Sequence, residues 1–99
     1  MTIMLEWDDN KRLANLGKHQ LDFIDAVLVL GSAYRLDVDR QSKGELRILS
    51  FAYVFDVLAV LTVVHTARGD IQRVISFRPA SDEERQTYHE WLEHDFNGI

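Results

Sequence analysis

The segment VLAVLTVVH (residues 57–65) is apolar at almost every position, which is the pattern of a central strand covered on both faces. A central strand needs neighbours, and LRILSFAYV (46–54) before it and IQRVISF (71–77) after the turn TARGD both predict strands. AYRLDV (33–38) alternates and predicts a fourth strand, followed by DRQSKGE as a polar loop long enough to be mobile. Pro79 ends the last strand because proline lacks the N–H donor that a sheet ladder needs.

The chain before these strands predicts one strand and two helices. MTIMLEW (1–7) has the β-branched and apolar composition of a strand. Asp8 or Asp9 can cap a helix through NKRLANLGKH (10–19), whose apolar side consists of Leu13 and Leu16.

A second short helix and a long last helix are indicated by their capping signals. Asp22 is a plausible N-cap, apolar residues follow at helical spacing, and Gly31 is a natural terminator, although AVLVL within this segment also fits a strand. Ser81 and Glu84 form an S-x-x-E capping box, and an apolar stripe follows it at positions i, i+3 and i+4: Tyr88, Trp91 and Leu92.

These elements run in the order β-α-α-β-β-β-β-α. This order predicts an α+β protein in which helices cover one face of a mainly antiparallel sheet. The 99 residues fit one domain, and we find no internal repeat or linker, so residues 1–99 are interpreted as a single domain.

Composition excludes several classes of function. The chain has no cysteine, so disulfides, thiol catalysis and thiolate metal sites are excluded. No apolar run approaches the roughly 20 residues of a membrane helix, and no signal-peptide pattern begins the chain, which together predict a cytoplasmic protein. Four histidines without a recognisable spacing predict no metal site, and no cofactor motif is present.

The charge is unevenly distributed. The formal net charge is -5, yet residues 1–80 contain ten acids and ten Lys or Arg, while residues 81–99 contain six acids and Arg85. The body of the domain can therefore carry a basic surface, although the total charge argues against strong non-specific attraction to nucleic acid. We expect the acidic last helix to lie away from such a surface.

The segment HTARGDIQRVISFR (65–78) concentrates arginine and histidine at a predicted hairpin. A two-residue turn at Arg68–Gly69 would place His65, Ser76 and Arg78 on one face and Arg73 on the other, and one extra turn residue reverses that parity. The sequence leaves both registers open. In either one, a face covered by helices cannot easily bury arginine, so some guanidinium groups must reach an open face.

An open face of this kind can bind phosphate. Arginine presents a planar, permanently charged fork that matches two phosphate oxygens, and histidine can move a proton near neutral pH. Together these groups supply what RNA cleavage requires without a metal: a base, an acid and cations for the charged transition state. The alternative is that the arginines are solvated strand residues that form surface ion pairs with Asp37, Asp39 or Asp70.

Three motifs carry a resemblance to a known family. EWDDNKRLANLGKHQLDF near the start, GELR in the middle and VVHTARGDIQRVISFRPASDEER near the end resemble the BrnT family, the ribonuclease toxins of bacterial type II toxin–antitoxin systems. The resemblance implies a RelE-like fold and an endoribonuclease that cleaves RNA and inhibits translation. It also implies a protein partner, a BrnA-like antitoxin that neutralises the toxin and alone contacts DNA.

Position by position, the resemblance implies two groups of site residues. The implied catalytic residues are Arg78, His65, Arg73, Lys18 and His19. The implied RNA and phosphate contacts are Arg47, Arg68 and Ser76. One departure is Gln20, which follows the KH pair where the family often has glycine.

Two alternatives to an active ribonuclease remain open at this point. A non-catalytic, degenerate toxin that only binds its antitoxin would account for the acidity and for Gln20. Direct DNA binding by this chain fits poorly, because no predicted helix is basic enough to enter a major groove.

Overall fold

The computed structural model describes residues 3–97, which form one five-stranded sheet and four helical segments. In chain order the elements are β1 (Met4–Glu6), α1 (Asp9–His19), a 3₁₀ helix (Phe23–Ala26), α2 (Val27–Leu30), β2 (Leu36–Ser42), β3 (Glu45–Val54), β4 (Ala59–Arg68), β5 (Ile71–Pro79) and α3 (Asp82–Asn97). The strands lie side by side as β1-β5-β4-β3-β2, with β1 parallel to β5 and every other pair antiparallel. The α+β class with a mainly antiparallel sheet is confirmed, and β4 is the central strand.

The main core lies between one face of the sheet and the helices before β2. This core face carries alternate strand residues, and the 3₁₀ helix and α2 pack on it. The buried residues from the strands are Ala52, Val54, Leu61, Val63, Val74 and Phe77, and those from the helices are Phe23, Ala26, Val29 and Leu30. Burying a side chain such as Phe23 or Phe77 completely contributes roughly 1.5–3 kcal/mol.

The last helix, α3, packs on the opposite face, which corrects the prediction that helices cover one face only. Tyr88 is buried against Phe51 and Val60, whose side chains alternate with those of the core face. The Tyr88 hydroxyl donates to the Tyr34 carbonyl oxygen (2.7 Å) and accepts from the Tyr53 N–H (3.3 Å). The apolar stripe identified this helix correctly, but a stripe does not say which face of a sheet it will cover.

The expected mobile loop between β2 and β3 is instead a tight hairpin. Lys43 and Gly44 form its two-residue turn with φ values of 52° and 77°. Positive φ at both turn residues is the conformation that matches the twist of two antiparallel strands. Because the strands extend to Ser42 and Glu45, the ladder pairs Arg40 directly with Arg47.

Helix capping follows the sequence signals. Asp8, not Asp9, caps α1 by accepting from Asn10 N–H (2.8 Å), and Asp22 caps the 3₁₀ helix by accepting from Ile24 N–H (3.2 Å). The AVLVL segment is helical over Val27–Leu30. The capping box of α3 is confirmed, because Glu84 N–H donates to Ser81 Oγ (3.1 Å) and Ser81 N–H donates to Glu84 Oε1 (2.9 Å).

The packing of α1 differs from the prediction, because Leu13 and Leu16 are exposed and Asn15 is the buried residue. The Asn15 amide donates to the Phe77 carbonyl oxygen (2.7 Å) and its oxygen accepts from Phe77 N–H (3.2 Å). Since β1 pairs only with the first part of β5, Asn15 satisfies the open edge of β5 as a further strand would. Helix α1 therefore runs along this edge and ends beside the last residues of β5.

None of the helices among residues 3–97 is long and apolar enough to cross a membrane.

Candidate functional site

Most of the arginines of the sheet lie on the face opposite the core face. We call this the arginine face. Its strand positions, read from the ladder registers, include Arg40, Arg47, Thr62, Val64, Thr66, Arg68, Arg73, Ser76 and Arg78. Helix α3 covers the end of this face that contains Phe51 and Val60, and it leaves the end near the hairpin turns uncovered.

A β-bulge in β5 decides which arginines share this face. The β4–β5 turn is Gly69–Asp70, with Arg68 opposite Ile71 and Thr66 opposite Arg73. The pairing then shifts at Ile75, because His65 is opposite Val74 while Val64 is opposite Ser76. A bulge inserts one residue and so reverses the facing of every residue beyond it.

With the bulge, Arg73, Ser76 and Arg78 lie on the arginine face and His65 lies on the core face. Neither register considered from the sequence gives this combination. Bulges have no reliable signal in a single sequence. Without a bulge, the alternation of side chains along β5 would place Arg73 and Arg78 on opposite faces.

Arg40 and Arg47 form an unneutralised pair at the open end of the arginine face. They are directly opposite each other on β2 and β3, and no ion pair or hydrogen bond from either guanidinium is present among residues 3–97. The Arg47 Nε atom is buried and has no hydrogen-bond partner there. Like charges directly opposite each other destabilise a sheet, and a buried polar atom without a partner costs further free energy.

Arg40 was missed by the sequence reasoning, although a signal existed. Reading S-K-G-E as a two-residue hairpin turn would have paired Arg40 with Arg47. Arg40 on β2, Arg47 on β3 and Arg73 on β5 form what we call the arginine row. At about 4.8 Å between neighbouring strands, Arg47 and Arg73 are roughly 10 Å apart.

Arg73 is at the β1 side of the row and has a partner. Its Nη1 donates to Glu6 Oε2 at 2.6 Å, and both side chains are about one-third exposed. A partly exposed ion pair of this kind contributes little to stability, so it can exchange for a phosphate at small cost.

Arg78 is held by the first turn of α3. Its guanidinium donates two hydrogen bonds to Glu84, Nη1 to Oε1 (2.7 Å) and Nη2 to Oε2 (3.0 Å). The Thr62 hydroxyl donates to the same carboxylate (3.0 Å), as does Ser81 N–H. We expected α3 to lie away from this face, and this contact shows that it reaches Arg78.

These hydrogen bonds keep the Glu84 carboxylate charged. Burial by itself raises the pKa of Glu84, but the hydrogen bonds from Arg78, Ser81 N–H and Thr62 outweigh it and lower the pKa to about 2. Glu84 in turn raises the pKa of Arg78. The sequence identified Glu84 only as a capping residue, and its second role depends on the approach of α3 to β5.

His19 and Lys18 lie at the end of α1, next to the end of β5. Burial lowers the pKa of His19, and the positive charges of Lys18 and Arg78 lower it further. The imidazole is therefore neutral at neutral pH and able to accept a proton. Gln20 ends the helix at φ 56° and ψ 30°, the left-handed conformation that glycine adopts most easily, so the chain leaves α1 by this route without glycine.

His65 lies inside the protein and not on the arginine face. It is 0% exposed, and its Nε2 and Nδ1 are each 2.7 Å from an oxygen, those of Ser50 and Gln72. Ser50 Oγ is also 2.6 Å from Asp37 Oδ1, and since a carboxylate has no proton to give, the hydroxyl donates to Asp37. Nε2–H of His65 then donates to Ser50, and burial lowers the pKa of His65.

The remaining site residues predicted from the sequence are on the arginine face, and their side chains form no hydrogen bond or ion pair within residues 3–97. Arg68 is exposed at the hairpin tip, and Ser76 is half-buried opposite Val64. Within residues 3–97 no group of three or more His, Asp or Glu side chains is arranged to hold a metal ion.

The structure therefore separates the predicted site residues into three sets. The arginine face carries Arg47, Arg68, Arg73, Ser76 and Arg78, and the adjoining end of α1 carries Lys18 and His19. His65 is on the other side of the sheet. The arrangement offers cations for phosphate oxygens and one neutral, accessible imidazole next to Arg78 for proton transfer.

Comparison with protein families gives one match. Residues 7–84 match the family described as "Ribonuclease toxin, BrnT, of type II toxin-antitoxin system". No curated protein matches the chain. The family match covers most of the chain; it begins directly after β1 and includes every strand of the arginine face.

Proposed function

The chain belongs to the BrnT family of ribonuclease toxins of type II toxin–antitoxin systems, and we propose that it is an endoribonuclease that binds RNA across the arginine face. Membership in this family implies a ribonuclease activity and a protein antitoxin as the partner. We propose a RelE-like fold and action in the cytoplasm, where RNA is available.

The single observation that carries the binding proposal is the Arg40–Arg47 pair. Two guanidinium groups directly opposite each other, one with a buried Nε lacking a partner, are costly in the protein alone. A bound phosphate offsets the repulsion, because its negative charge lies between the two guanidinium groups and its oxygens accept hydrogen bonds from their outer nitrogens. Further along the row, Arg73 supplies a third cation for a neighbouring phosphate.

We assign the chemical step to the other end of the strand, where Arg78, Lys18 and His19 meet. The His19 imidazole accepts the proton of the RNA 2′-hydroxyl, the 2′-oxygen attacks the adjacent phosphorus, and the bond from phosphorus to the 5′-oxygen breaks. The leaving 5′-oxygen takes a proton from water, and the products are a 2′,3′-cyclic phosphate and a 5′-hydroxyl. Arg78 and Lys18 stabilise the negative charge that builds on the phosphoryl oxygens.

Cations of the protein supply the electrostatic stabilisation in this scheme, so we propose that cleavage does not depend on a metal. Cleavage of messenger RNA inhibits translation, and a BrnA-like antitoxin neutralises the toxin by binding it. The antitoxin alone would contact DNA, since no described helix presents a basic face to a groove.

The first test is cleavage of RNA by purified, antitoxin-free protein in excess EDTA. We expect products ending in a 2′,3′-cyclic phosphate, and we expect His19→Gln to lower the cleavage rate by about 100-fold, which is within the usual contribution of a proton-transfer group. The matched control is His94→Gln, since His94 is an exposed histidine on α3. RNA that stays intact with the wild-type protein contradicts the proposal.

A second test separates the role of Arg78 in catalysis from its role in folding. Removing Arg78 alone would leave the Glu84 carboxylate without its main partner, so loss of activity could reflect unfolding. We therefore compare Glu84→Ala with the double variant Arg78→Ala/Glu84→Ala. Cleavage retained in the single variant and lost in the double variant supports a contact between Arg78 and substrate, and equal cleavage in both contradicts it.

A non-catalytic module that only binds its antitoxin is the second candidate, and one observation favours it. Glu84 pairs with both Nη atoms of Arg78, so in this structure the charge that Arg78 would offer to a phosphate is already balanced by a carboxylate. This candidate predicts tight antitoxin binding without RNA cleavage in the test above, and without growth arrest on expression.

A further inference from the structure

An apolar groove lies at the end of the sheet farthest from the arginine row. Its volume is ≈ 740 Å³, and it runs between α2, the turn after β3 and the middle of α3. The residues that line it include Leu28, Tyr53, Phe55, Asp56, Tyr88 and Leu92. A groove of this size takes several apolar side chains of a partner.

The turn at the groove rim is unfavourable for a protein that has no partner. Phe55 is 80% exposed and Leu58 is 73% exposed, in a turn where polar residues would be normal. Leu58 also adopts φ 52°, a conformation that costs a residue with a β-carbon about 1 kcal/mol and that glycine or asparagine adopts more easily. Phe55 packs edge-on against Tyr53 with ring centroids 5.1 Å apart, yet most of its surface and most of that of Leu58 stays exposed to solvent.

The charges around the groove are negative. Asp56 is the one charged residue among its lining residues, and no Lys, Arg or His lines it. Helix α3 provides Tyr88 and Leu92, and Asp95 lies one turn beyond Leu92 on the same side of that helix. The lining offers no cation to a phosphate, so its charge argues against RNA as the occupant.

We propose that this groove binds an amphipathic helix of the antitoxin, with apolar side chains at helical spacing and Lys or Arg at its flanks. The apolar residues fill the groove, and the basic flanks pair with Asp56 and Asp95. The proposal rests on the toxin–antitoxin membership of the family and on no part of the proposed chemistry. The groove is about 23 Å from the arginine row along β3, from Val54 to Arg47, so antitoxin anchoring and RNA binding use separate surfaces.

The test measures the affinity of purified toxin variants for the antitoxin of the same operon. Phe55→Asp and Leu28→Asp place a charge on opposite walls of the groove. We expect each to raise the dissociation constant at least about 100-fold. Leu13→Asp is the matched control, because Leu13 is 63% exposed on α1, outside the groove, and we expect a change below about threefold. Asp56→Lys tests the charge, and we expect about a tenfold loss.

Three outcomes overturn the proposal. Wild-type affinity in both Phe55→Asp and Leu28→Asp shows that the antitoxin binds elsewhere, and absence of antitoxin binding to the wild-type toxin has the same consequence. If the toxin alone sediments as a dimer that Phe55→Asp dissociates, the occupant is a second copy of this chain. Since the readout is binding, it is independent of whether RNA is cleaved, and RNA cleavage by Phe55→Asp at the wild-type rate checks that this variant is folded.

Discussion

The two faces of the sheet are built from the same strands, yet their polar groups are satisfied to different degrees. On the core face His65 is buried, and at the edge of β5 Asn15 is buried, and each makes hydrogen bonds from both ends of its polar group. On the arginine face, Arg40 and Arg47 lie opposite each other, and neither forms an ion pair within residues 3–97. The Arg47 Nε atom has no hydrogen-bond partner there. Satisfied polar groups hold a fold together, whereas unsatisfied ones are what a ligand can stabilise.

Glu84 and Arg78 lie between these two cases. They are on the arginine face, but their hydrogen bonds are as complete as those of the core face. The comparison therefore predicts different phenotypes for residues of the same type, and four variants test it, from the largest expected effect to the smallest.

The largest effect is expected for His65→Ala. The substitution leaves a cavity and removes a partner from Ser50 and Gln72, so we expect the free energy of unfolding to fall by about 3–4 kcal/mol. We expect the folded fraction to cleave RNA within about threefold of the wild-type rate, because a residue at 0% exposure cannot contact substrate. Urea denaturation followed by cleavage assays well below the transition measures both, and a 100-fold loss of cleavage in fully folded protein would assign His65 a catalytic role.

The second effect is expected for the double variant Arg40→Ala/Arg47→Ala. We expect RNA affinity to fall about 100-fold, close to 2.7 kcal/mol, and the slope of log affinity against log salt to fall by about 1.4, as for two lost phosphate contacts on single-stranded RNA. Stability should stay equal or rise slightly, because the repulsion is removed. Fluorescence anisotropy over a salt series measures this, with Arg85→Ala on α3 as the control, and an unchanged salt slope would contradict the phosphate assignment.

The third effect concerns pH and Glu84. The pKa of Glu84 is about 2 in the folded protein against 4.5 for an ordinary glutamate, so the folded state binds fewer protons. Its contribution to stability is fully present above pH 4.5 and is lost as the pH falls from 4.5 toward 2, and we expect a loss on the order of 2 kcal/mol.

The matched variant for this prediction is Glu84→Gln. It should unfold more easily at pH 7, by about 2 kcal/mol, and it should lack the part of the acid destabilisation that Glu84 causes. Denaturation curves at pH 7 and pH 3 for both proteins give the comparison. Equal sensitivity to acid in the two proteins would mean that Glu84 is not held by Arg78 in solution.

The smallest effect is expected at a position that belongs to neither face. Gln20→Gly relieves the left-handed backbone conformation at the end of α1, and we expect stability to rise by about 0.5–1 kcal/mol. Thermal denaturation measures the rise, and RNA affinity should not change. A loss of stability would show that the Gln20 side chain contributes more than its backbone conformation costs.

Much of the fold could be predicted because its signals are local. The apolar run of β4, the caps Asp8 and Asp22 and the S-x-x-E box depend on neighbouring residues, and all are found where the patterns predicted them. The packing of α1 could not be predicted in this way. A hydrophobic count favours Leu13 and Leu16 as its contact residues, whereas the open edge of β5 requires hydrogen bonds that Asn15 provides.

The candidate site was predicted in composition but not in arrangement. The concentration of arginine in residues 65–78 predicted arginines on an open face, and the strand register places Arg73 and Arg78 on one face of the sheet. The prediction could not separate His65 from them, because a single bulge at Ile75 changes the facing of everything beyond it. It also missed Arg40, because that residue joins the site through the register of the β2–β3 hairpin, which was interpreted as a polar loop.

By itself, the order of residues determined which segments become strands and helices, since propensity, periodicity and capping act over a few positions along the chain. Contacts between distant segments decided the rest: the side of the sheet that α3 covers, the hold of Glu84 on Arg78, and the convergence of His19 with β5. These contacts depend on the relative free energies of alternative packings of the whole chain, and no local pattern encodes that difference.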